Sequence, residues 1–203
     1  MLFEMQVDAL VVGGVSEFEE NFGRVVEKRT GISPLIGFFH AEIGDLNRVM
    51  HIWSYESAEA RAQIQDELAR QPWWPPANAH LILGQAAKLM SAAPFRPDPL
   101  VGALGPVYEF RTYTIKPGRM NELVSLWRQN LSSREELSPL AACFTTEAGP
   151  LNQFIHVWVY RDLNHRAEVR IASRKLANWH LGREFMVSQN VEVWMPASFS
   201  PMH

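Results

Sequence analysis

Sliding the chain past itself by 105 residues brings its two ends into register without a gap. GDLNRVMHIWSYESAEARA from Gly44 falls on GPLNQFIHVWVYRDLNHRA from Gly149, and Glu4, Gly13, Ser33-Pro34-Leu35, Trp74 and Met90 meet Glu109, Gly118, Ser138-Pro139-Leu140, Trp179 and Met195. About 20 of the roughly 98 aligned pairs are identical, where ordinary composition gives roughly 6 by chance. Whatever one half folds into, the other half must also accept. The spacing predicts domains at residues 1–93 and 106–203, joined by a Pro- and Gly-rich linker at 94–105.

Within one copy the periods change from two to 3.6 and back. Val107–Ile115 reads VYEFRTYTI and stops at Lys116-Pro117-Gly118, as a strand ends at a turn. Met120, Leu123, Val124, Trp127 and Leu131 recur at helical spacing. A hairpin over 140–146 and 153–160 turns at Gly149–Asn152. A helix capped by Asp162 follows, and a last strand spans 191–195. The first copy reads alike, with Ser57 as the cap. The order βαββαβ is the ferredoxin-like α+β arrangement, whose sheet has one face without helices. Packing the two open faces together makes an α+β barrel within one chain.

Alternation places His51, Trp53 and Tyr55 on one face of their strand, and His156, Trp158 and Tyr160 on one face of theirs, with Ile155, Val157 and Val159 opposite. Because aliphatic residues suit a helix-packed face, the His-Trp-Tyr rows are expected at the sheet–sheet interface or in a cavity inside it. Arg111 and Tyr113 join them there. Asn47 and Asn152, from the turns, complete the candidate set. Contact area and polar tips explain such rows as packing; an aromatic cavity with a few polar groups would instead hold a small apolar ligand. No catalytic residue is assigned.

The remaining signals exclude more than they assign. Nineteen Lys and Arg against 22 Asp and Glu give a net charge of -3, which argues against nucleic acid as a partner. No apolar run approaches the roughly 20 residues of a membrane span. The lone Cys143 fits a reducing, cytoplasmic setting and reads as a core thiol. HExxH, HxxxH and CxxC spacings are absent, so no metal site is expected, and phosphate-loop and serine-hydrolase motifs are absent too.

YEFRTYTIKPG from Tyr108, GPLNQFIHVWVYRD from Gly149 and GDLNRVMHIWSYES from Gly44 together resemble the NIPSNAP family of the dimeric α+β barrel superfamily. The likeness covers almost the whole chain and is stronger in the second copy, because Phe3–Val11 carries no RTYT and no KPG. The resemblance implies the barrel fold. Family members in eukaryotes are associated with mitochondria and trafficking, whereas bacterial members have no agreed activity. With a strand beginning almost at Met1, the chain reads as a bacterial, cytoplasmic member. The expected function is binding of a small apolar ligand, or self-assembly into homo-oligomers through free sheet edges, without a cofactor. The alternative, by analogy with the superfamily, is a cofactor-independent monooxygenase-like or haem-using enzyme with the His-Trp-Tyr rows lining its cavity.

Overall fold

A computed structural model describes residues 1–177, 179 and 182–203. The first half runs β1 (Leu2–Leu10), α1 (Val15–Gly23), α2 (Val26–Thr30), β2 (Leu35–Ile43), β3 (Arg48–Tyr55), α3 (Ala58–Ala69) and β4 (Ile82–Ala92). The second runs β5 (Val107–Ile115), α4 (Met120–Glu135), β6 (Leu140–Ala148), β7 (Gln153–Tyr160), α5 (Leu163–Ser173) and β8 (Met186–Pro196). The helix caps are those the residues call for: Ser57 Oγ accepts from Ala60 N–H at 3.2 Å, and Asp162 from His165 N–H at 2.7 Å. The last strand is longer than expected, starting at Met186.

Each half forms an antiparallel sheet, β4-β1-β3-β2 and β8-β5-β7-β6, and the two halves join edge to edge at β2–β8 and β4–β6. The eight strands close into one barrel. Closure uses up every strand edge, so the expected edge-to-edge pairing between copies has no strand to use. An eight-stranded barrel is just wide enough for side chains to fill. Here Phe3, Met5, Phe39, Met50 and Ile52 of one half meet Tyr108, Phe110, Phe144, Ile155, Val157, Val159 and Trp194 of the other. The Phe3–Phe144 and Phe39–Tyr108 ring centroids lie 5.1 and 5.0 Å apart across the halves.

This core corrects the expected facing. Ile155, Val157 and Val159 line the barrel interior, and the His-Trp-Tyr rows face outward into the layer between sheet and helices. The reason is polarity. The interior is sealed by strands on all sides and suits side chains without polar tips, whereas the helix layer supplies hydrogen-bond partners. Tyr108 Oη and Trp194 Nε1, which do point inward, are buried without a partner.

The gapless 105-residue register also needs correction. Phe3 pairs with Met90, but its counterpart Tyr108 pairs with Trp194, so Trp194 and not Met195 is the equivalent of Met90. The second half lacks one residue between Trp179 and Arg183, and beyond that point the offset is 104. With this shift Gln85, Ala93, Phe95 and Pro97 fall on Gln189, Ala197, Phe199 and Pro201.

The segment expected to be a spacer is part of the packing. Ala93 N–H donates to Cys143 C=O at 2.8 Å and Ala197 N–H to Phe38 C=O at 3.0 Å, so the segment leaving each half pairs with the other half. Phe95 then stacks on Trp127 of the second half, and Phe199 lies 4.9 Å from Phe38 and 6.0 Å from Phe22 of the first. Phe199→Ala should therefore lower stability by about 2 kcal/mol in urea denaturation. Hydrogen exchange should show the added opening around Phe38 and His51; protection lost only around Trp127 would refute the crossed packing.

Candidate functional site

The sheet–helix layer of the second half contains a pocket of about 260 Å³. Its floor comes from the outward-facing residues of β5 and β7: Glu109, Arg111, Tyr113, His156 and Trp158. Trp127 and Arg134 of α4 form one wall, and Arg170, Ser173 and Arg174 at the end of α5 another. Trp179, Arg183, Met186 and Gln189 complete it. Arg174, Arg183 and Gln189 are exposed while Glu109, Arg134, His156 and Trp158 are buried, so the mouth and the floor are distinct.

The floor is organised around a buried arginine. The Arg134 guanidinium stacks 3.8 Å from the Trp158 ring centroid. It donates to Ser138 Oγ at 2.9 Å and to Tyr160 Oη at 3.2 Å. Trp158 Nε1–H in turn donates to His156 Nδ1 at 2.8 Å. Glu109, buried beside this set, accepts from Arg166 at 2.5 Å and from Arg111 and Arg170 at 3.3 Å each. Burial and the negative charge of Glu109 push the Tyr160 phenol up to about 12. In the first half Arg29 stacks at 3.9 Å on Trp53 and donates to Ser33 and Tyr55, Trp53 donates to His51 at 2.7 Å, and Glu4 pairs with Arg61.

His156 is where the halves part. Burial first, and then the nearby charges of Arg111 and Arg134, hold its pKa well below the ordinary histidine value of 6.5. The ring is neutral, and since Nδ1 accepts from Trp158, the proton sits on Nε2. That buried Nε2–H has no partner among the described residues. In the first half the same atom of His51 faces Asp8 Oδ2 at 3.3 Å, and Asp8 also accepts from Gln6 and Gln85. Burial opposes ionisation of Asp8, but these contacts outweigh it and keep its carboxyl below the ordinary value. Tyr113 stands where the first half has Asp8, its ring edge-on to His156 at a centroid distance of 4.7 Å.

The other pocket residues diverge too. Arg111, Arg170, Arg174 and Arg183 correspond to Gln6, Gln65, Ala69 and Ala79, and Ser173 to Leu68. Of the five pocket arginines only Arg134 keeps its charge in both halves, as Arg29, and Glu109 is matched by Glu4. In the first half Phe22, the counterpart of Trp127, lies within 6.4 Å of the Phe38, His51, Trp53, Trp74 and Phe199 rings.

Of the expected site residues, Arg111, Tyr113, His156 and Trp158 line the pocket, and Tyr160 lies beneath it as an Arg134 acceptor. His51, Trp53 and Tyr55 take the matching positions in the packed half. Asn47 and Asn152 belong elsewhere: with φ of 53° and 57° they form the hairpin turns, a backbone conformation Asn tolerates. Cys143 is a core thiol whose burial pushes its pKa far up. Glu109, Arg134, Arg170, Arg174 and Arg183 were not among the expected residues. The signal for Arg170, Arg174 and Arg183 was an arginine present in one copy and absent from the other, whereas Glu109 and Arg134 repeat as Glu4 and Arg29.

The NIPSNAP family model matches residues 3–97 and again 108–201. The chain belongs to the NIPSNAP family. It is 28% identical to NipSnap homolog 3A of Homo sapiens over 100% of this chain and 86% of that protein. With NipSnap homolog 3B of Mus musculus it shares 29% identity over 98% of this chain and 85% of that one. A crystal structure from Fusobacterium nucleatum, named as a candidate monooxygenase, superposes with a TM-score of 0.69 over 97% of this chain and 92% of that one. At 11% identity that likeness is one of fold. Among the described residues of this NIPSNAP chain no group of His, Cys, Asp and Glu could hold a metal ion, and no helix is long and apolar enough to cross a membrane.

The neutral state of His156 carries a pH signature. The unfolded chain protonates this imidazole near the ordinary value of 6.5, the folded chain only well below it. Below that value the unfolded state binds more protons, so this contribution reduces stability as pH falls, by up to about 1.4 kcal/mol per pH unit. His40, whose pKa is raised chiefly by its hydrogen bond to Glu19, acts with the opposite sign: its contribution is present below 6.5 and is lost as pH rises through its folded pKa. Comparing wild type with His156→Gln cancels His40. The wild type should lose stability faster than the variant between about pH 6.5 and 5, and parallel profiles would mean that His156 is protonated in the fold.

Proposed function

We propose that this NIPSNAP protein binds one small organic anion, in the pocket of its second half. The observation that carries the reading is charge: five arginines line the pocket against one glutamate, and four of the five have uncharged counterparts in the first half. Glu109 is shared among Arg111, Arg166 and Arg170 and leaves positive charge over. A guanidinium fork suits carboxylate or phosphate oxygens. The aromatic walls suit a flat ligand, so the purely apolar ligand expected from the sequence gives way to an anion with an apolar body. At about 260 Å³ the pocket lies just below the roughly 300–1,000 Å³ of drug-sized sites.

An enzymatic reading would use the same pocket, but its histidine is a donor at Nε2 and its other nitrogen is engaged by Trp158, so it offers no base to a ligand. Haem fits poorly for the same reason. An axial ligand needs a free ring nitrogen, and here Nδ1 accepts from Trp158 while Nε2 carries the proton. Self-assembly would have to use the outer helix surfaces, since the strand edges are closed. A reducing, cytoplasmic compartment remains our reading from the lone buried thiol.

Thermal shift with matched pairs tests the anion reading: benzoate should raise Tm and neutral benzamide should not. Transplanting the first half's residues, as Ser173→Leu with Arg174→Ala, should keep the fold and weaken benzoate binding at least tenfold. Equal shifts with the acid and the amide would exclude the reading.

A further inference from the structure

The pocket is polarised from mouth to floor. Arg174 and Arg183 stand exposed at the mouth, whereas the floor ends in the buried His156, 1% exposed, whose Nε2–H has no acceptor among the described residues. Leaving a buried donor unpaired is costly, and whatever occupies the pocket gains by supplying an acceptor there. The proton's position is fixed from behind, because Trp158 Nε1–H occupies Nδ1 and thereby commits Nε2 to donating. The chain itself shows what this atom takes: in the first half the matching nitrogen faces a carboxylate oxygen of Asp8. Between floor and mouth stand the rings of Tyr113, Trp127, Trp158 and Trp179.

We infer that the ligand is a flat aromatic acid carrying a hydrogen-bond acceptor oxygen, such as a ketone, at the end opposite its acidic group. The acid lies at the arginine mouth, the ring against the aromatic lining, and the oxygen accepts from His156 Nε2–H. This specificity rests on the anion-binding reading above, but its test separates the two. An acceptor of this kind distinguishes ligands of the same charge and nearly the same shape.

The probes are 4-acetylbenzoate and 4-isopropylbenzoate, which share the acid and the ring and differ in the acceptor oxygen. Titration followed by tryptophan fluorescence should give roughly tenfold tighter binding of the acetyl compound. In His156→Phe that preference should vanish while the isopropyl compound still binds. Nitrogen-15 NMR of the wild type supplies a readout that needs no variant: the His156 Nε2 resonance should move with 4-acetylbenzoate and stay with 4-isopropylbenzoate. Equal affinities in the wild type, with an unmoved Nε2 resonance, would overturn the inference and leave the anion pocket standing. Binding of neither acid would overturn both.

Discussion

A guanidinium buried between a helix and a sheet is the interaction on which the rest of this structure depends. Arg29 and Arg134 are 1% and 3% exposed, and neither lies in an ion pair of its own among the described residues. Burying an unpaired cation is expensive unless its hydrogen bonds are met and its charge is spread over polarisable groups. The His-x-Trp-x-Tyr row does this work. The tryptophan offers its ring face to the guanidinium, the tyrosine its oxygen, and the histidine accepts the tryptophan's own N–H. A glutamate on the neighbouring strand lies close enough to contribute opposing charge, and Arg61 of α3 or Arg166 of α5 pairs with it. The row faces the helices because its partner comes from a helix.

The two halves solve the same burial problem and then diverge around it. In the first, Asp8 meets the histidine and is itself held by Gln6 and Gln85. In the second, a tyrosine replaces that carboxylate and leaves the donor without a partner among the described residues, while Ser173 stands at the pocket where the first half has Leu68. One change removes an internal acceptor, another removes side-chain volume, and the added arginines bring cations to the rim. Packing alone would not favour either change. A donor stripped of its partner and a cluster of like charges both destabilise a fold, and the anion binding proposed above would offset both.

The architecture was legible in the sequence because it is written as periodicity: Val107–Ile115 and Gln153–Tyr160 are strands with the bounds their alternation marks, and the self-similarity dictates two like halves. Alternation separates two faces of a strand without saying which faces in. That choice depended on whether Trp158 or Val157 had the greater need of a polar neighbour, and the neighbour, Arg134, lies 24 residues away on another element. The single-residue shift between Trp179 and Arg183 was hidden for a different reason. Met90 and Met195 are identical by coincidence, whereas the true counterparts, Met90 and Trp194, share only a place in the core. The pocket arginines were hard to see because they break the repeat instead of obeying it.

Fusion of the two halves makes that divergence possible. In a barrel assembled from two identical chains, every substitution appears at both symmetry-related sites, so opening one pocket opens the other and doubles the loss of packing. Within one chain, each half needs only to keep what closes the barrel: the inward aliphatic row, the strands that join at β2–β8 and β4–β6, and the segments that cross to the opposite half. Those features are present on both sides here, whereas the residues that open the pocket are present on one.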